Sequence, residues 1–179
     1  MLSTLKLNIS LFYIQIKDAQ VPTLVLPDAI TIIKNTGVLN SKGIETEIMY
    51  TPAKGVIIQY NGGITDALIK ASGKRPVFTP DNTNAIAIQY SKNINAKMSG
   101  FIRTETRFIG NTYFDSSNEI KQMPYCINNF SMGVNKNKMS VVLWSKNIFN
   151  QKYISYAYDF GAVHLGDPAT FGISISSKF

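Results

Sequence analysis

The sequence of 179 residues predicts an all-β protein, an antiparallel up-and-down transmembrane β-barrel segment of about eight strands. Three observations predict it. The chain ends, from Thr170 to Phe179, on a strict alternation that puts Phe171, Ile173, Ile175 and Phe179 on one face of a strand and Thr170, Gly172, Ser174, Ser176 and Lys178 on the other, because successive side chains of a strand point to opposite sides. Seven further stretches show the same period of two. The connections between them alternate in length, tight on one side and long on the other, as in outer-membrane barrels.

The first strand is expected from about Thr4 to Asp18, with Leu5, Leu7, Ile9, Leu11 and Tyr13 opposed to Lys6, Asn8 and Ser10. The second, Gly37 to Thr51, sets Ile44, Thr46, Ile48 and Tyr50 against Gly43, Glu45 and Glu47, and Pro52 to Gly55 supply turn chemistry. A third starts at Val56 and carries Ile58, Tyr60, Gly62 and Ile64 on one face; Gly62-Gly63 marks a bend or the close approach of a neighbour. The fourth, near Asn84 to Ser91, turns Ile86, Ile88 and Tyr90 outward. The fifth, near Ala96 to Ile109, turns Met98, Ile102 and Phe108 outward and Arg103, Glu105 and Arg107 inward. The sixth, Tyr125 to Asn135, opposes Phe130, Met132 and Val134 to Asn129, Ser131 and Gly133. The seventh, Met139 to Asn147, is the least regular, since Val141 to Trp144 are consecutive, and the terminal strand is the eighth. Each approaches the roughly ten residues that a tilted strand needs to cross a bilayer. Tight links are expected at Pro52 to Lys54, Lys92 to Asn95 and Lys136 to Lys138, and long ones at Ala19 to Thr36, Ala67 to Thr83, Gly110 to Pro124 and Gln151 to Pro168. Short turns then face the periplasm together with both chain ends. No linker or tandem repeat divides residues 1–179, which read as one domain.

Composition agrees with this pattern and removes several alternatives. No window holds eighteen apolar residues, so a helical span is excluded, while 45% hydrophobic residues suit a wall in which every second side chain faces lipid. Cys126 is the single cysteine, which rules out an intrachain disulfide and a cysteine-based metal site. The formal charge of +7 does not point to nucleic acid, because the lysines are scattered and several, such as Lys136 and Lys138, fall in predicted turns. Met1 to Ser10 lacks the charged and apolar regions of an export signal. The expectation is a C-terminal piece whose upstream portion carries that signal.

Several groups of residues resemble those of TonB-dependent outer-membrane receptors. Asn35-Thr36-Gly37 with Ser41 to Glu47, then Pro52 and Tyr60 to Ala67, resembles the paired strands of these receptors, and Gly73-Lys74-Arg75-Pro76 the link that follows. Tyr113-Phe114-Asp115 with Asn118, Leu143 to Tyr153, and Gly166 to Gly172 are similar to a loop, a strand and the closing signature of the same family, although Ala169 stands where arginine is usual. The likeness spans almost the whole chain. It implies the C-terminal part of a larger barrel, roughly 22 strands around a plug, of which this chain holds about eight strands and no plug domain, in the outer membrane of a Gram-negative bacterium. It further implies uptake of a scarce ligand such as a ferric siderophore. The implied partners are outer-membrane lipid, a missing N-terminal plug and the remaining barrel strands, the TonB energy-coupling complex and the barrel-assembly machinery. In this reading Phe171, Ile173, Ile175 and Phe179 form the barrel-insertion signal.

Candidate site residues are those of the inward face: Glu45, Glu47, Arg103, Glu105 and Arg107, whose charges line a lumen and pair or stay hydrated. Substrate contact and structural lining both fit them. His164 with Asp159 and Asp167 lacks metal-ligand spacing, and no nucleophile elbow or phosphate loop is present. No enzyme, cofactor or metal is expected. The tyrosines and Trp144 are placed at strand ends, where amphipathic rings meet headgroups, and Tyr156 and Tyr158 alternatively line a ligand vestibule. A second reading is a self-contained eight-stranded outer-membrane barrel with a structural or adhesion role; the small, hydrophilic inward side chains favour a wider barrel. A third is a soluble β-sandwich.

Overall fold

The computed structural model describes residues 3–25, 30–158 and 160–178. Fourteen strands occur in it: β1 (Thr4–Ile16), β2 (Gln20–Val25), β3 (Ile30–Asn35), β4 (Leu39–Thr51), β5 (Val56–Ile69), β6 (Asn82–Asn95), β7 (Met98–Ile109), β8 (Thr112–Tyr113), β9 (Lys121–Gln122), β10 (Tyr125–Lys136), β11 (Met139–Lys146), β12 (Ile154–Ala157), β13 (Val163–Leu165) and β14 (Thr170–Ser177). No helix is present among the described residues.

Eight strands form one antiparallel sheet in the order β1-β4-β5-β6-β7-β10-β11-β14, so each wall strand pairs with the next one along the chain. These are the eight strands that alternation predicts. The other six make three hairpins, β2-β3, β8-β9 and β12-β13, standing on three of the long connections. The edges of the sheet are β1 and β14. Several expected boundaries move by a few residues; β5 runs on to Ile69 and β6 starts at Asn82, inside the expected link. β1 stops at Ile16, and Lys92 to Asn95 belong to β6, which runs through an irregularity at Asn93 and Asn95 into a two-residue turn at Ala96 and Lys97. The Asn95 carboxamide accepts the Lys97 amide at 3.0 Å, fixing that turn.

Register shows why the sequence alternates. Paired residues share a face, and one row across the sheet reads Leu7, Ile48, Tyr60, Ile86 while its neighbour reads Asn8, Glu47, Asn61, Ala85, Arg107. One face is therefore apolar from edge to edge, and it is uncovered: Leu11 is 79% exposed and Ile175 69%. No large side chain is fully buried among the described residues. In water a sheet like this forgoes about 25 cal/mol for every Å² of apolar surface left uncovered, and a single layer has no interior in which to recover it. The polar groups that interrupt the apolar face bond one another: Tyr60 Oη donates to Asn84 Oδ1 at 2.6 Å and Thr106 Oγ1 to Asn128 Oδ1 at 2.7 Å, which removes their cost in a medium without water.

Aromatic rings lie over glycines of neighbouring strands. A Cβ on Gly43 would overlap the Phe12 ring, one on Gly133 the Phe101 ring, and one on Gly172 the Trp144 indole, and each is a directly paired couple. Trp144 thus lies flat on the polar face, with Nε1 donating to Ser174 Oγ at 3.1 Å. Its place near the end of β11 agrees with the sequence. At Gly62-Gly63 it is Gly62 that accommodates a close approach, from the Tyr60 ring and the Asn84 carboxamide; Gly63 meets only ordinary contacts.

Candidate functional site

The polar face of β4 to β10 carries every charge predicted to point inward. Glu45 and Glu47 lie on β4, and Arg103, Glu105 and Arg107 on β7, all on the face opposite the apolar rows. Two groups form. Arg103 donates to Gln59 Oε1 at 2.9 Å and pairs with Glu105 at 3.4 Å, and Glu105 accepts from Asn129 at 3.4 Å. Three strand spacings away, roughly 14 Å, Glu47 accepts from Asn8 at 3.4 Å. Between Glu45 and Glu47 on one bank and Arg107 on the other, Asn61, Gly63 and Ala85 leave an open trough of about 400 Å³. Gly63, Asn61 and Ala85 keep the floor low between the longer side chains paired with them, Glu45, Glu47 and Arg107; acid and base do not meet over it. The Arg103–Glu105 pair beside the trough is partly exposed and contributes little stability.

At the rim opposite the tight turns, the long connections are tied together by side-chain bonds to backbone. The Asn118 carboxamide accepts the Arg75 amide at 2.8 Å and donates to the Arg75 carbonyl at 3.0 Å, joining the β7-β10 connection to the β5-β6 connection. Arg75 also reaches Asp66 at 3.3 Å, beside Lys42 at 3.6 Å. The Asp115 carboxylate accepts from the amides of Ser117, Glu119 and Ile120 and from the Ser117 hydroxyl. Burial pushes its pKa up, but these hydrogen bonds outweigh burial and hold it below its ordinary value. The β11-β14 connection is organised by Asn147, a buried left-handed residue (φ 48°). Its carboxamide donates to the carbonyls of Gln151 and Asp167, both at 2.9 Å, and accepts the Gln151 amide at 2.8 Å.

Across these connections runs a ladder of rings that alternation could not reveal. Phe114, Phe78, Tyr156, Tyr158 and Phe160 follow one another with centroids 5.7, 4.9, 4.6 and 5.0 Å apart, and all but Phe114 are exposed. Phe78 is held at φ 57°, a strained setting for an aromatic residue. Only the frequency of Phe and Tyr in the loops hinted at it. His164 Nδ1 lies 3.0 Å from Ser155 Oγ across β12 and β13, and Asp159 and Phe179 lie outside the described residues. Among the described residues no three metal-ligating side chains come together.

An exposed apolar face, a polar opposite face, and turns and loops segregated to opposite rims define a sector of membrane β-barrel wall. The sequence matches the model of the TonB dependent receptor-like beta-barrel family over residues 2–148, and the chain belongs to that family, one of receptors and transporters. The fold also matches solved receptors. The ferric yersiniabactin uptake receptor FyuA from Yersinia pestis superposes with a TM-score of 0.82 at 22% identity, over 96% of this chain and 27% of that one. BauA, the ferric preacinetobactin receptor from Acinetobacter baumannii, gives 0.75 at 16% identity, over 98% and 27%. The siderophore receptor PiuA from Acinetobacter baumannii gives 0.73 at 14%, over 96% and 25%. The chain spans about a quarter of the length of these receptors.

Proposed function

We propose that this chain is the C-terminal barrel sector of a TonB-dependent receptor in the outer membrane of a Gram-negative bacterium, contributing wall and extracellular loops to the uptake of a scarce ligand such as a ferric siderophore. The observation that carries the proposal is the single-layer sheet of eight antiparallel strands, apolar across one whole face, with both of its edges open. Unpaired backbone groups cost several kcal/mol each in lipid, so β1 and β14 pair with the remaining strands of a larger barrel. The absence of β1-β14 pairing among the described residues weighs against a self-contained eight-stranded barrel, in which the two edges would meet each other.

In this reading Glu45, Glu47, Arg103, Glu105 and Arg107 face the lumen and meet a plug supplied by the rest of the receptor. The ring ladder from Phe114 to Phe160 stands on the outer loops and captures ligand by stacking. Phe171, Ile173, Ile175 and Phe179 present the terminal strand to the barrel-assembly machinery, and the TonB complex drives transport through the parent receptor. The test is uptake of a panel of labelled ferric siderophores by iron-starved cells lacking this coding segment. Loss of one of them, restored by the intact gene, is the expected result. Unchanged uptake of all, with the chain recovered outside the outer-membrane fraction, rejects the proposal.

A further inference from the structure

The charge of this chain is concentrated at one rim. Lys54 lies in the β4-β5 turn, Lys92 and Lys97 at the β6-β7 turn, Lys136 and Lys138 at the β10-β11 turn, and Lys178 just past β14. All six are exposed, and none forms an ion pair among the described residues. Removing these six from the 18 basic side chains leaves 12 against 11 acidic ones, so nearly all of the net +7 sits at the tight-turn rim. Along the wall strands the acidic residue closest to it is Glu47, four residues inside the end of β4.

The turns that carry these lysines are joined to their neighbours. The Asn137 amide donates to the Lys97 carbonyl at 2.9 Å, Lys178 to the Lys138 carbonyl at 3.0 Å, and Ser91 to the Gly55 carbonyl at 2.7 Å. The cations therefore form a fixed arc following the sheet end, about 10 Å from turn to turn. Lys92 and Lys136 stand on the apolar face, where Tyr90, Ile94, Val134 and Met139 are exposed beside them. A row of cations bordering an apolar band that contains an interfacial tyrosine is the profile of a headgroup layer, with acyl chains on one side and phosphates on the other.

We infer that this rim is a docking surface for anionic phospholipid, and that its lysines hold the headgroup phosphates of the leaflet on the tight-turn side. The inference rests on the membrane-wall reading given above. A soluble acidic protein would need a face that closes over the lysines without regard to the adjoining apolar band, and nucleic acid would need stacking rings set among the cations, whereas the exposed rings near this rim, Tyr50 and Tyr90, belong to the apolar band.

The test is the association of spin-labelled phosphatidylglycerol, relative to spin-labelled phosphatidylcholine, with the full-length protein that carries this sector, reconstituted in phosphatidylcholine vesicles. A lysine held at a charged lipid surface contributes roughly fivefold in association at low salt. The expected result is a severalfold preference for phosphatidylglycerol. It should fall toward one in molar salt and in a variant carrying Lys92→Gln, Lys97→Gln, Lys136→Gln and Lys138→Gln, with β-sheet content unchanged. Equal preference in wild type and variant, or none in either, overturns the inference and leaves the membrane wall standing. A chain that folds only in lipid-free buffer overturns both. Tighter binding of soluble polyglutamate than of phosphatidylglycerol vesicles assigns the rim to an acidic protein and overturns the lipid assignment.

Discussion

Asn118 and Arg75, 43 positions apart in sequence, exchange two hydrogen bonds, side chain to backbone in both directions. Asn118 does so from a left-handed conformation (φ 60°) that asparagine tolerates better than most residues. One side chain thereby fixes two loops at once.

Replacing Asn118 with Ala removes both bonds and adds backbone strain, a combined cost of about 2 to 3 kcal/mol to loop closure. Asn118→Gly relieves the strain but not the lost bonds, and should recover about 1 kcal/mol. Hydrogen exchange of the Ile120 amide, which keeps its Asp115 acceptor in both variants, reads the difference.

Asp115 gives this loop a dependence on acid. Its pKa is lowered in the folded loop, so its contribution is fully present above the ordinary carboxylate value of 3.8 and is lost as pH falls through the lower folded value. Proteolytic nicking between Phe114 and Met123 by an acid-active protease should rise below that point in the wild type. In Asp115→Asn the same segment should be nicked more readily at neutral pH and change little with acid.

Gly172→Ala should destabilise the β11-β14 pair, because its methyl group enters the space of the Trp144 indole. Overpacking of this kind costs about 1 to 3 kcal/mol. Thermal unfolding in vesicles should show the loss for Gly172→Ala and a smaller one for the double variant with Trp144→Ala than the two single losses added together.

Asn147→Ala leaves the carbonyls of Gln151 and Asp167 and the Gln151 amide without their partner at a buried position. A loss of about 2 to 4 kcal/mol is expected for the order of the β11-β14 loop. Asn147→Asp, which keeps the acceptor and loses the donors, should fall between Ala and wild type when loop cleavage by trypsin is followed.

The wall was legible in the sequence because its physics is local. A residue such as Ile86 faces the same way as Ile88 whatever lies around them, and pairing with Tyr60 and Thr106 only has to respect that parity. The loops were not legible for the opposite reason. The bonds between Asn118 and Arg75 and the stacking of Phe78 on Tyr156 depend on contacts between segments far apart in sequence, and no periodicity announces them. The likeness at Tyr113 to Asp115 with Asn118, and at Asn147 with Asp167, marked the right residues without disclosing what they hold. Which face Trp144 covers does not follow from its closeness to a strand end, and Gly172 opposite it is the deciding neighbour.

The strand order also bears on how such a wall is made. Since every strand meets its immediate successor, hairpins can be stitched on one at a time as the polypeptide is handed over, and the growing seam never has to search for a distant mate. The two free margins are the sole joints left for last.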